Sequence, residues 1–264
     1  MENREKLLRF VIVGAGPTGV EAAAEIHDFI RQDLKKLYPS LYLDAKITVV
    51  EGSPTVLSAF DAQLQEYAQN RFRRQHIQIK FGTRVTAISE DSVELDDGSK
   101  IKCSFVLWSA GIQPRKLIAL EERSPGIPKD TRKRVLVNES LKVIGIEDVF
   151  AMGDCSVVEG KEYAATAQVA QQQGKFLAKK LNAEADDNSV EYPNTFVYQH
   201  FGSMAYIGGY KAVTSFGSTK LKGFISWFLW RSAYLTKTVS LKNKILIPIN
   251  WSKTFIFGRD ITKF

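Results

Sequence analysis

Cysteine and histidine are scarce. Two cysteines, Cys103 and Cys155, in 264 residues are too few for a disulfide scaffold, and neither stands in a CxxC or CxxxxC pair, which speaks against disulfide exchange. The three histidines, His27, His76 and His200, fall in unrelated segments, so no metal site is expected. No apolar run reaches the ~18 residues of a spanning helix. The opening MENREK lacks the basic start and apolar core of an export signal. Neither a membrane span nor secretion is expected, and a reducing compartment fits. With 44% hydrophobic and 25% charged residues, disorder and fibre are excluded.

Acidic residues are missing from one stretch in particular. Residues 1–194 carry 26 Lys and Arg against 28 Asp and Glu, whereas 195–264 carry 10 against 1. All of the excess positive charge therefore sits in the last quarter, together with Trp227, Trp230 and Trp251. A basic, aromatic terminus suits an anionic lipid surface. Nucleic acid is disfavoured, because no recognised nucleic-acid module surrounds the basic residues.

What is present begins with a short apolar run, Leu7–Val13, that leads into Gly14-Ala15-Gly16-Pro17-Thr18-Gly19 and then into apolar residues at helical spacing. Strand, tight turn and helix are expected, with Pro17 in the helix's first turn and Pro39 beyond its end. Lys46–Glu51 reads as a second buried strand, Asp61 as the cap of a helix to about Gln75, and Ile77–Phe81 as a third strand. Ser92–Asp96 and Lys100–Cys103 alternate around Asp97-Gly98, which predicts a type I′ hairpin. Phe105–Trp108 returns as a buried strand. Beyond a charged, proline-containing connection over Gln113–Lys133, strands are expected at Arg134–Asn138 and Val149–Met152, and helices at about Ala164–Leu181 and over Lys220–Leu235.

Gly14, Gly16 and Gly19 fit the dinucleotide fingerprint: the first permits the turn, the second lets a pyrophosphate approach, and the third allows close helix–strand contact. The preceding strand and the following helix supply the context that the motif needs. Glu51, at the tip of the next strand, is placed to hydrogen-bond an adenosine ribose, and its charge favours NADH over NADPH. It lies 32 residues after Gly19, against about 20 in the usual pattern, so the helix or its loop must be extended. A solvated strand-end glutamate is the alternative.

These motifs resemble a family. Gly14–Gly19 with Val20-Glu21, Trp108-Ser109-Ala110-Gly111-Ile112, Phe150-Ala151-Met152-Gly153-Asp154, the helix Ala167-Gln168-Val169-Ala170-Gln171-Gln172-Gln173-Gly174 and the ending Trp227–Leu235 with Phe257–Asp260 look like type II NADH:quinone oxidoreductases. The resemblance implies that NADH, held in part by Pro17, Thr18, Ala110 and Gly111 beside the three glycines, reduces FAD, which reduces a membrane quinone. It implies that Gly153 and Asp154 contact the flavin's ribityl or phosphate portion. Gln168 and Gln172 share a helix face that would border flavin and quinone, an amide being able to donate to a quinone carbonyl; without the resemblance they read as a solvated face. Glu21 would enter beside nicotinamide and flavin and relay a proton, although a first-turn glutamate favoured by the helix dipole explains it equally well.

The resemblance further implies an α/β fold: a Rossmann-like NADH-binding domain with a β-hairpin insertion over 1–112, the C-terminal half of an FAD-binding domain over 113–194, and an amphipathic membrane-attachment region over 195–264 that allows a homodimer. A first flavin-binding βαβ unit with its own glycine fingerprint is absent, so a fragment is expected, with FAD binding and activity of this stretch in doubt. Attachment to a bacterial plasma membrane or a mitochondrial inner membrane would follow. The alternatives are a soluble pyridine-nucleotide flavin reductase of the ferredoxin-reductase kind and a non-catalytic nucleotide-binding membrane adaptor.

Overall fold

The computed structural model describes residues 6–115, 126–186, 192–238, 240–259 and 261. Most of MENREK, much of the 113–133 connection and Asp260 lie outside these residues.

Strand β1 (Arg9–Val13) is central, and Val11, Ile12 and Val13 are buried, as expected of a parallel strand covered on both faces. Gly14–Gly16 lead into α1 (Pro17–Phe29), with Pro17 in its first turn. The helix does not stop there. It passes through a π-helical segment, Ile30–Leu34, and closes with one α-helical turn, Lys35–Leu37. Together with the turns up to Asp44, this extension accounts for the long interval between Gly19 and Glu51.

After β2 (Lys46–Val50), the Asp61 carboxylate caps α2 (Ala62–Arg74) by accepting from the Gln63 amide at 3.0 Å. Strand β3 (Gln78–Lys80) precedes an antiparallel sheet of β4 (Val85–Ile88), β5 (Ser92–Leu95) and β6 (Lys100–Lys102). The insertion is thus three strands, not a lone hairpin. Its turn also differs from the expected type I′, because only Gly98 has a positive φ, +80°. The Gly98 amide donates to Leu95 and the Leu95 amide to Ser99, the pattern of a type I turn followed by a glycine bulge. Asp97 is held by accepting from the amide and hydroxyl of Ser99. Strand β7 (Phe105–Trp108) then completes a parallel sheet of order β3-β2-β1-β7.

A second compact unit spans Gly111–Phe201. In it β8 (Val135–Val137) and β9 (Ser156–Val158) pair in parallel, and Thr166 caps α3 (Ala167–Ala185). Val137, Leu141, Phe176, Leu177 and Phe196 form its core. Val149–Met152 is not a strand: it contributes one isolated bridge, Lys142 to Phe150, and runs into a 3-10 turn, Gly153–Cys155.

The terminal residues form β10 (Ser203–Tyr206), β11 (Ala212–Phe216) and β12 (Thr219–Gly223) in an antiparallel sheet, followed by α4 (Phe224–Lys237) and α5 (Leu241–Phe257). The helix expected from Lys220 therefore begins four residues later. Lys220–Gly223 pair with β11, and Gly223, at φ +88°, turns the chain into α4. This terminal region is not a unit of its own. Gly202–Phe264 and Met1–Ala110 make one compact unit, and Tyr206, Ile207 and Val213 share a core with Ile12, Val20, Ala24 and Phe72.

Candidate functional site

In the parallel sheet, β1 connects toward β2 on one side while β7 lies on the other. The carboxyl ends of β1 and β7 thus mark the switch point where such sheets bind ligands. Both ends carry glycine-containing turns, and the three fingerprint glycines differ in what surrounds them. At Gly14, φ is +98° and a Cβ would lie 3.1 Å from the Ala110 methyl, so the two turns touch. At Gly19 a Cβ would fall 1.9 Å from the Gly14 carbonyl oxygen, which only glycine avoids. At Gly16 a Cβ would meet nothing within 4 Å, so the backbone there faces open space. Pro17 and Thr18 are exposed beside it, where the helix's first N–H groups lack intrahelical acceptors.

Glu51 closes this loop from the side. Its Oε2 accepts from the Ala15 amide at 2.5 Å and its Oε1 from the Ser53 amide at 2.7 Å. The carboxylate thereby fixes the fingerprint turn to the tip of β2. Gly111, at φ +76°, is exposed, and a Cβ there would meet nothing within 4 Å.

Glu21, two residues past Gly19, has partners far along the chain. Its Oε1 accepts from the Tyr206 amide at 3.0 Å and from the Trp230 indole at 2.9 Å. Burial raises the Glu21 carboxyl above its ordinary value, against the lowering effect of these two donors. Further along α1, Asp28 is buried and accepts from the Tyr206 hydroxyl and the Gly209 amide through Oδ2. Burial pushes Asp28 up, but hydrogen bonds from His27, Tyr206 and Gly209 outweigh it and hold the carboxyl below its ordinary range. Glu25 and Asp33 meet Arg259. The acidic face of α1 thus takes up part of the terminal basic charge.

In the second unit, Gly153 has φ +74° and a Cβ there would lie 3.3 Å from the Ala170 methyl, so the turn sits tightly against α3. Asp154 is exposed, with no hydrogen-bond partner among the described residues. The turn is held by a residue that sequence reasoning missed: Gln173, 3% exposed, accepts from the Gly153 amide at 2.7 Å. A signal existed, since Gln173 lies on the helical stripe of Val169, Phe176 and Leu177 and is the glutamine of its triplet with an apolar phase. Gln168 and Gln172 face the other way. The Gln168 Oε1 accepts from the Phe201 amide at 3.1 Å, and the Gln172 side chain both donates to the Gln199 carbonyl and accepts from its amide. Both glutamines thus strap residues 199–201 to α3.

The terminal helices divide their aromatics. Trp227 and Trp230 pack against the core of the first unit, and Trp230 stacks on Tyr206 at 5.4 Å. The Arg231 guanidinium lies over the rings of Trp227 and Trp251, at 5.1 and 3.9 Å. Phe224, Ile225 and Phe228 on α4 are each more than 60% exposed, as is Leu241 on α5, and Ile245 and Ile249 are more than half exposed. Among the described residues no helix is long and apolar enough to cross a membrane.

Residues 1–174 match the family model described as pyridine nucleotide-disulphide oxidoreductase. The chain belongs to this family. Residues 200–260 match the model described as the NDH2 C-terminal domain. The chain is 39% identical, over 264 residues, to a probable NADH dehydrogenase of Dictyostelium discoideum, covering 100% of this chain and 57% of that protein. It is 38% identical to the mitochondrial internal alternative NAD(P)H-ubiquinone oxidoreductase A1 of Arabidopsis thaliana, covering 99% of this chain and 54% of that one. The fold is that of NDH2 from Plasmodium falciparum, solved in complex with NADH: TM-score 0.90 at 22% identity, over 99% of this chain and 68% of that one. The chain spans about half the length of the curated relatives it matches.

Proposed function

We propose that the chain carries the NADH-binding portion, and part of the flavin-binding portion, of an NADH:quinone oxidoreductase attached to the surface of the mitochondrial inner membrane. The observation that carries the reading is the fingerprint turn, closed at Gly14 and Gly19 but open at Gly16, in one compact unit with a terminal module that exposes apolar side chains. Relatives named as mitochondrial NAD(P)H- and NADH-ubiquinone oxidoreductases support this donor class, acceptor and compartment.

The open backbone at Gly16, with Pro17 and Thr18 beside it, suits a pyrophosphate at the start of α1. Glu51 is anchored by two amides, and the lone pairs left on its oxygens suit ribose hydroxyls. Ala110 borders the same turn, and Gly111, next in the chain, is proposed to take part in holding the dinucleotide. In the second unit Gly153, at φ +74°, sits where a Cβ would lie 3.3 Å from the Ala170 methyl, and Asp154 offers a carboxylate unpaired among the described residues, a set that fits the hydroxyls of a ribityl chain. A flavin held there would supply the hydride acceptor for NADH and the electron donor for the quinone. Gln173 keeps the Gly153 turn in place, while Gln168 and Gln172 act by holding residues 199–201 as one wall of the quinone site. Glu21, whose carboxyl is raised by burial above its ordinary value, is oriented by Tyr206 and Trp230 and is the group proposed to relay a proton. The exposed face of α4 and α5, with Lys242, Lys244 and Lys253 also exposed, rests on anionic lipid and leaves room for a second copy.

Calorimetric titration with NADH, followed by a visible spectrum after FAD addition and desalting, tests the reading. Saturable NADH binding and a retained flavin spectrum are expected. Absence of NADH binding at millimolar concentration overturns it.

A further inference from the structure

The adenosine end of the dinucleotide site contains a cation that the site described above does not use. Glu51 is followed by Gly52, and a Cβ on Gly52 would lie 3.4 Å from both Cγ and Nε of Arg84. The stem of Arg84 therefore runs across the bare backbone next to the ribose-facing carboxylate. The placement is built by the main chain. The Thr83 amide donates to the Glu51 carbonyl, and the Gly82 amide to that of Ser53. On the other side the Arg84 amide donates to the Asp96 carboxylate at 3.0 Å, and the Asp96 amide to the Arg84 carbonyl at 2.9 Å. Asp96 thus fixes the backbone of Arg84 without pairing with its head. Among the described residues the Arg84 guanidinium has neither an ion pair nor a hydrogen bond, and the residue is exposed.

An acid at this strand end selects a free ribose 2′-hydroxyl, whereas a nearby arginine accommodates a 2′-phosphate. Here both are present: Glu51 precedes Gly52, and the stem of Arg84 lies over Gly52. Both Glu51 oxygens already accept from amides at 2.5 and 2.7 Å, which ties the carboxylate back toward the fingerprint turn. The arginine head has no such anchor, and its fork of donors matches a phosphate.

We infer that Arg84 forms a seat for the 2′-phosphate of NADPH, so that this chain accepts both reduced dinucleotides. Gly52 lies under the seat, where even a Cβ would reach the stem of Arg84 at van der Waals distance. The inference rests on the dinucleotide reading of the fingerprint turn and makes that site less selective than Glu51 alone implies. The attraction is between exposed charges, so it weakens with added salt.

The test is calorimetric titration of the full chain with NADH and with NADPH at low salt, for the parent and for Arg84→Ala. Because Arg84 is exposed and its side chain has no hydrogen bond or ion pair among the described residues, the variant is expected to fold, and circular dichroism checks this. The ratio of the NADPH to the NADH dissociation constant is expected to rise by about fivefold or more in the variant. Arg84→Lys should recover part of the loss, as a point charge replaces the fork. A smaller change in the ratio overturns the inference while leaving the dinucleotide site intact. Binding of neither nucleotide by the parent overturns the dinucleotide reading itself, and the inference with it.

Discussion

The indole N–H of Trp230 donates to Oε1 of Glu21 at 2.9 Å, across 209 positions of sequence. Helix α4 and the opening of the dinucleotide helix α1 are thereby held by one carboxylate oxygen, which also takes the Tyr206 amide.

Glu21→Ala leaves both donors without an acceptor and is expected to lower stability by about 2 kcal/mol in chemical denaturation. Glu21→Gln keeps an acceptor oxygen and should stay within about 1 kcal/mol of the parent near neutrality. The pH dependence separates them further. Because folding raises this carboxyl above its ordinary 4.5, its contribution is fully present below that value and is lost as pH rises through the raised one. The parent should show that decline and Glu21→Gln should not; matching curves for the two would remove the assigned shift.

Gly16→Ala and Gly19→Ala should fail in different ways. An added methyl at Gly19 would collide with the Gly14 carbonyl at 1.9 Å, whereas at Gly16 it meets nothing and φ is an ordinary −69°. Gly19→Ala is therefore expected to destabilise the fold. Gly16→Ala should keep its melting temperature and lose NADH affinity by about tenfold or more, or about 1.4 kcal/mol. Normal NADH binding by Gly16→Ala would show that no pyrophosphate lies there.

Changing Phe224, Ile225 and Phe228 together to serine should abolish flotation with vesicles containing anionic lipid, since each apolar side chain contributes about 1.5–3 kcal/mol on burial. All three are exposed, so thermal stability should change little. Trp230→Phe should do the reverse: it removes the donor to Glu21, lowers stability and leaves flotation intact. Flotation that survives the triple exchange would move lipid contact elsewhere.

The sequence revealed what is local. The β1-α1-β2 run, the tight turn at Gly14, the close approach at Gly19 and the Asp61 cap follow from spacing and from backbone needs that neighbouring residues define. The 32-residue interval before Glu51 announced an extended helix, though not that Ile30–Leu34 would adopt the π form. What stayed hidden depends on distant partners. Trp227 and Trp230 read as lipid-facing because the residues around them are basic and aromatic; their partners, Tyr210 for Trp227 and Tyr206 and Glu21 for Trp230, come from other parts of the chain. Glu21 equally suited the helix dipole, and no pattern near it points to Tyr206. The strands β10 and β11 are short, and the turn at Gly223 lets a strand precede a helix in what reads as one amphipathic run.

Because Met1–Ala110 and Gly202–Phe264 form one unit with Gly111–Phe201 placed between them in the chain, the polypeptide leaves the first unit and re-enters it. A single nick within the intervening stretch would leave its two flanks associated through Tyr206, Ile207 and Val213, which pack with Ile12 and Val20. The dinucleotide fold is therefore a split body whose two ends recognise each other, and cutting the gene after residue 112 would remove part of its interior.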